Sequence, residues 1–359
     1  MAKSRVLIRE ASYESVKEAV DQAFCLFSPD LRGKKVLIKP NVLRDARPEE
    51  AITTHPAVLK AVVEKVRSLQ PSAIWVGDNP GVMGYGINEA CFEKTGLMEA
   101  AGGHYVNIGS ESKQVPFHLA SLESLSVSTA VLEADVMISL PKFKTHGLTV
   151  ITGAIKNSYG ILPGAQKATL HRLAGSPEKF QEIIVDVFLI RPPDFFIVDA
   201  VVGMEGNGPA STDLRQIGCI MASDNAVALD ATIARMMGLE PSFLRALTYA
   251  RECGLGNYRV SEIEIIGKLQ EIPDFKLPPR AGEASGRDER VRELLKKRVA
   301  ERPHVNREIC TGCGTCVDQC PQGALEMGED GYPFLTDRER CIACFCCQEL
   351  CPEKAITLR

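Results

Sequence analysis

A chain of 359 residues exceeds one average domain, which predicts one large domain with an ample core and at least one smaller one. At 45% hydrophobic and 25% charged residues, with a formal charge of -4, the composition excludes a disordered chain and gives no sign of nucleic-acid binding. The N-terminus, MAKSRVLIREASYESVKEAV, turns polar before an apolar stretch reaches signal-peptide length, and no segment runs 18 apolar residues unbroken, so the expectation is a cytoplasmic protein with no membrane segment.

From residue 1 to 267, short β-branched apolar runs alternate with stretches of helical period. That pattern predicts an α/β fold, a large mostly parallel sheet with helices on both faces. Strands are expected in KKVLIKP, AIWVGD, HYVNI, ADVMISLPK, DFFIVDA, IGCIMAS and EIEIIG. Helices are expected over Ser15 to Phe27, Pro56 to Leu69, Ile87 to Ala100, Glu178 to Leu189 and Asn225 to Gly238. Pro56 suits a first helical turn, with Thr54 or His55 near the cap.

Residues 268–304 break the rhythm: the Pro-rich IPDFKLPPRAGEASG leads into the highly charged RDERVRELLKKRVAERP, which reads as a linker with a charged helix. Residues 305–359 remain as a small α+β domain.

Nine of the 13 cysteines crowd into residues 310–351 at ligand spacings, which calls for a reducing compartment rather than disulfides. Cys310, Cys313, Cys316 and Cys320 follow C-x2-C-x2-C-x3-C with Pro321 next, and Cys341, Cys344, Cys347 and Cys351 repeat the pattern with Pro352 next. The offset, 310 to 341, is 31 residues at all four positions, and it also maps Ala324 onto Ala355, so the module is an internal duplication. Three thiolates spaced by two residues let one tight loop hold three corners of a cubane, and in two-cluster ferredoxins the fourth ligand comes from the other half. The expectation is two [4Fe–4S] clusters, one on Cys310, Cys313, Cys316 and Cys351, the other on Cys341, Cys344, Cys347 and Cys320. Zinc knuckles use two Cys pairs across a longer loop instead. Cys346, beside Cys347, breaks the spacing and reads as a spare buried thiol. The module resembles bacterial two-cluster ferredoxins, which implies low-potential one-electron transfer.

In open α/β sheets ligands bind at the carboxyl ends of strands, so the residues after each apolar run carry the information. Lys39 and Asn41 close VLIK; Thr54 and His55 precede a helix; Asp78 follows AIWVG. ADVMISLPKFKTHG puts Lys142, Lys144 and His146 past a buried strand, with Lys156 and Asn157 close behind, which suggests an anion site. Asp199 ends a strand, and Glu205 sits in the Gly-rich GMEGNGP. Each has a plainer reading: Lys142 and Lys144 as solvated residues of one strand edge, His55 and Asp78 as helix caps, Glu205 as a loop residue. GDNPGVMGYG and GMEGNG both miss the G-x-G-x-x-G spacing and no phosphate loop occurs, so no NAD, FAD or ATP site is predicted.

VLIKPN followed by TTHP, then VGDNPG, SLPKFKTHG, GAIKNSYG and VDAVVGMEGNGP, together resemble the domain-of-unknown-function family numbered 362, over residues 36–209. Members of that family often carry a C-terminal two-cluster ferredoxin module. The resemblance implies an architecture and a candidate site rather than a substrate. Its motifs mark Lys39, Asn41, His55, Asp78, Lys142, Lys144, His146, Lys156, Asn157, Asp199 and Glu205.

The leading expectation is an iron–sulfur oxidoreductase relaying single electrons to a small anionic substrate or cofactor, with His146, Lys142 and Asp78 as catalytic candidates and the other marked residues as binding groups. The rival is a non-enzymatic electron carrier or assembly factor that docks a partner redox enzyme through its lysines. The two part on geometry: residues 142–157 converge with Asp78 and Asp199 in one pocket under the first and lie on an open face under the second.

Overall fold

In the computed structural model, residues 3–278 and 302–358 are described, apart from 82–85, 121, 165, 175, 339, 342, 343 and 345. The strands in chain order are β1 (Ser4–Glu10), β2 (Lys35–Pro40), β3 (Ala73–Val76), β4 (Ser112–Leu119), β5 (Leu122–Ser128), β6 (Val136–Leu140), β7 (Lys142–His146), β8 (Val150–Thr152), β9 (Phe195–Met204), β10 (Leu214–Ser223) and β11 (Ile263–Ile266). All but β4 and β5, which form a separate hairpin, join one sheet of order β11-β1-β10-β9-β6-β2-β3, with β7 and β8 attached beside β9. The pairs β11-β1, β9-β6, β6-β2, β2-β3 and β7-β9 are parallel, and β1-β10, β10-β9 and β7-β8 antiparallel. The α/β architecture is thus the expected one.

Strands covered on both faces read as near-continuous apolar runs. Alternate residues feed two cores: Val36, Ile38, Phe195 and Ile197 on the face of helices Val16–Phe27 and Pro56–Ser68, and Leu37, Met137, Phe196 and Val198 on the face of helices Pro177–Ile190 and Ala226–Met236. His55 caps its helix, Nδ1 accepting from Ala57 N at 3.2 Å, with Pro56 in the first turn.

Three expectations are corrected. HYVNI makes only a single bridge, Val76 to Tyr105, because the Asn107 side chain accepts from Gly109 N at 3.0 Å and turns the chain away. The helix expected over Ile87 to Ala100 is two helices, Ile87–Lys94 and Leu97–Ala100, parted where Thr95 Oγ1 donates back to Cys91 O and Gly96 takes φ 73°. Residues 268–278, read as the start of a linker, pack on the large domain instead: Ile272 N donates to Met236 O at 2.8 Å, and Leu269, Ile272, Phe275 and Leu277 lie against the core. The charged helix expected beyond them lies outside the described residues.

In the C-terminal module β12 (Pro303–Val305) pairs β15 (Ile356–Leu358), and β13 (Leu325–Met327) pairs β14 (Pro333–Leu335), with helical turns at Thr315–Asp318 and Cys346–Glu349. Pairing the first strand with the last ties its two halves together. Among the described residues no helix is long and apolar enough to cross a membrane.

Candidate anion site facing the cysteine module

β2 and β3 are parallel neighbours, with Ile38 opposite Val76, so the residues that follow meet just beyond the sheet. Lys39 Nζ lies 2.7 Å from Asp78 Oδ1, and both side chains are buried. Asp78 also accepts from Val42 N at 2.7 Å and Asn79 N at 2.9 Å, so it joins two loops rather than capping a helix. Asn157 accepts from Lys39 Nζ at 3.4 Å and donates to Ser139 Oγ at 2.9 Å. Gly160 covers this pair: a Cβ there would stand 2.1 Å from Asp78 Oδ1. Burial pushes the Lys39 ammonium below its usual pKa although Asp78 opposes the shift.

A second pair follows from a strand exchange. β9 pairs with β6 through Phe195 and Phe196, and after Pro141 β7 takes over, setting Lys142 opposite Asp199. Lys142 Nζ lies 2.7 Å from Asp199 Oδ2 and donates to Tyr13 OH at 3.1 Å. Asp199, inside β9 rather than at its end, also accepts from His55 N at 2.8 Å. The His55 ring stacks on Tyr13 at 3.6 Å, and burial lowers its pKa while Asp199 works against that shift.

Alternation along β7 sends Lys142, Lys144 and His146 to one side. Lys39, Lys142 and Lys144 are 0%, 0% and 1% exposed, which discards the reading of β7 as a solvated edge. Lys144 Nζ donates to Ile52 O at 2.7 Å, and burial with Lys156 nearby holds its pKa well below normal. Arg44 Nε and Thr53 Oγ1, buried donors on the loops flanking Lys144, have no hydrogen-bond partner among the described residues. His146 Nδ1 accepts from Leu148 N at 3.0 Å and Thr149 N at 3.3 Å, which places the imidazole proton on Nε2. Nε2 in turn lies 3.2 Å from Glu349 Oε1, a residue of the C-terminal module. Burial pushes the Glu349 carboxyl up to about 7, with Lys156 and Lys144 pulling it back.

The candidates therefore converge, with two exceptions. Glu205 turns to Arg215 Nε at 3.0 Å and accepts from Lys276 N, away from the lysines. Asn41 contributes mainly backbone, its N donating to Thr54 Oγ1 at 2.8 Å. Sequence reasoning missed Tyr13, Lys167, Asp230 and Glu349. Lys167 donates to Asn79 O and to Pro80 O, and burial lowers its pKa to about 7. Asp230 accepts from Ala154 N at 2.6 Å and Ile155 N at 3.1 Å and so holds the turn that presents Lys156 and Asn157. An acid inside the apolar run AVALDATIARM was the legible signal for Asp230; nothing local marked Lys167 or Glu349.

In the module, Cys320, Cys341, Cys344 and Cys347 line one cavity, so a cysteine of the first half stands among three of the second. Cys351, Cys313 and Cys310 all act on Cys316, whose thiol is pushed up to about 11, chiefly by burial. These two groups fit cubane clusters of crossed ligation. The module meets the large domain through its second half: Cys346 acts on Lys156, and Cys346, Glu349 and Cys344 all act on the buried Tyr159. Lys354 Nζ donates to Ser211 O at 3.3 Å, a further tie.

Residues 36–235, more than half of the chain, match the model of a domain of unknown function, DUF362. The chain belongs to the DUF362 family. Residues 302–352 match a 4Fe-4S dicluster domain, so the DUF362 part carries a ferredoxin-like [4Fe–4S] module behind it. Over 304 residues, 77% of this chain and 90% of the relative, the sequence is 30% identical to a thylakoid-associated protein of Synechocystis sp.. A stretch of 27 residues, 8% of the chain and 47% of the relative, is 56% identical to a probable ferredoxin of Methanosarcina thermophila. Among solved structures, the lactate racemase apoprotein from Thermoanaerobacterium thermosaccharolyticum aligns at 11% identity with a TM-score of 0.43, over 67% of this chain and 58% of that one. The chain thus spans less than two thirds of that structure.

Proposed function

We propose that this DUF362 protein is an iron–sulfur oxidoreductase of a reducing, cytoplasmic compartment. Two [4Fe–4S] clusters, held by Cys310, Cys313, Cys316 and Cys351 and by Cys341, Cys344, Cys347 and Cys320, relay single electrons to a small anionic substrate or cofactor at the buried lysines. The observation that carries this reading is the contact of Glu349, two residues from Cys347, with His146 beside Lys144 and Lys156. It brings the second group of cysteines to the site rather than to a remote face. Lys144 and Lys156 hold the anion, and one of their ammonium groups supplies a proton to the reduced intermediate and becomes a neutral amine. His146 Nε2–H donates a hydrogen bond to that intermediate, and the Lys39–Asp78 and Lys142–Asp199 pairs fix the floor. Burial of Lys39, Lys142 and Lys144 weighs against the rival reading of these lysines as a docking patch for a partner enzyme.

The test is reduction of the holoprotein by dithionite followed by reoxidation with a panel of small carboxylates and phosphates. The reading expects one class to reoxidise the clusters, with a marked loss of rate in His146→Ala and Lys142→Ala. Reoxidation rates equal in wild type and both variants would sink it.

A further inference from the structure

The helical turn Cys346–Glu349 belongs to both halves of the protein at once. It carries Cys347 on one side and sets Glu349 against His146, Lys144 and Lys156 on the other. The local charge is unbalanced. Asp78 and Asp199 are each engaged by one lysine at 2.7 Å, and Arg44 has Glu50 at 3.5 Å. Lys144 and Lys156 are then left with Glu349 as their shared carboxylate. Two lysines against one carboxylate favour a second negative charge, and the buried donors Arg44 Nε and Thr53 Oγ1, without a hydrogen-bond partner among the described residues, suit the oxygens of a carboxylate or phosphate.

We propose that anion binding at Lys144 and Lys156 is thermodynamically linked to the oxidation state of the second cluster, across the turn that bears Cys347 and Glu349. This rests on the cluster and site assignments above. One electron added to that cluster places one more negative charge beside a poorly solvated anion, so the reduced protein binds the anion more weakly. Linkage is reciprocal: the bound anion lowers the midpoint of the second cluster and makes it the stronger reductant when the site is filled. The first cluster, whose ligand Cys313 is exposed, serves as the internal reference.

The experiment is an EPR-monitored redox titration of the full-length holoprotein at fixed pH and ionic strength, with chloride replaced stepwise by malonate or by inorganic phosphate. Calorimetry on the oxidised protein gives their affinities independently. A tenfold weaker anion affinity in the reduced state appears as a fall of about 59 mV in the midpoint of the second cluster. The linkage expects a saturating fall for at least one probe, larger in the second cluster than in the first, and abolished in Lys156→Met and Lys144→Met. Failure of both probes to bind, a midpoint unmoved at saturation, or equal shifts in both clusters would overturn it while leaving the proposed function standing. Iron and sulfide contents short of two clusters would instead remove the reading on which it rests.

Discussion

His146 Nε2 and Glu349 Oε1 stand 3.2 Å apart across the boundary between the two domains, both side chains buried. Nε2, which must carry the ring proton, lies within reach of a carboxylate anchored two residues from Cys347, so the histidine ties the site to the cysteine module.

Replacing Glu349 by Leu removes the carboxylate while filling its space. It should loosen the docking of the module and leave the clusters assembled. Hydrogen exchange over residues 142–157 is the measurement: faster exchange there, with unchanged iron content, is the expected outcome, because Lys144, Lys156 and His146 lose their shared partner.

The proposed crossed ligation makes a selective prediction for cysteine variants. Cys320→Ser should damage the cluster built on Cys341, Cys344 and Cys347, and Cys351→Ser the one built on Cys310, Cys313 and Cys316. Cys346→Ser should leave the iron content unchanged. EPR spectra of the dithionite-reduced proteins separate these cases, and loss of the same-half cluster in Cys320→Ser would refute the crossing.

The buried Lys142–Asp199 pair should be costly to break from one side. Lys142→Met leaves Asp199 without its cation and is expected to destabilise the fold by about 3–5 kcal/mol in denaturant titrations. Adding Asp199→Asn, which still accepts from His55 N, should recover part of that loss.

Lys167 gives a pH dependence of known sign. Its pKa is about 7 in the fold and about 10.4 in an unfolded chain, so between these values the unfolded state binds more protons and stability rises with pH. The slope for one such group approaches about 1.4 kcal/mol per pH unit. Lys167→Met should therefore lose its part of the increase between pH 7.5 and 9.5, on top of a constant cost for the freed carbonyls of Asn79 and Pro80. Parallel stability curves for the two proteins would contradict the assignment.

Where the local signal was strong, sequence and structure agree. Pro56 opened its helix and His55 capped it, β2 and β6 fell within the apolar runs that predicted them, and β9 and β10 cover theirs but run longer, on to Met204 and back to Leu214. Competing local chemistry undid the weaker readings: Thr95 and Gly96 split one helix, and Asn107 diverted HYVNI. β4 and β5 were missed because Pro116, His118 and several serines blur their alternation.

By itself the sequence determined the duplicated cysteine spacing, the α/β class and the run of lysines and histidine in KFKTH, because ligand spacing and side-chain periodicity are properties of short stretches of chain. Only the tertiary structure decided which lysine met which carboxylate: Lys39 found Asp78 and Lys142 found Asp199 through parallel strand register, a contact between segments distant in sequence. It alone also brought Glu349 to His146, since docking of one domain on another depends on the shape and burial of both surfaces and leaves no trace in either local pattern.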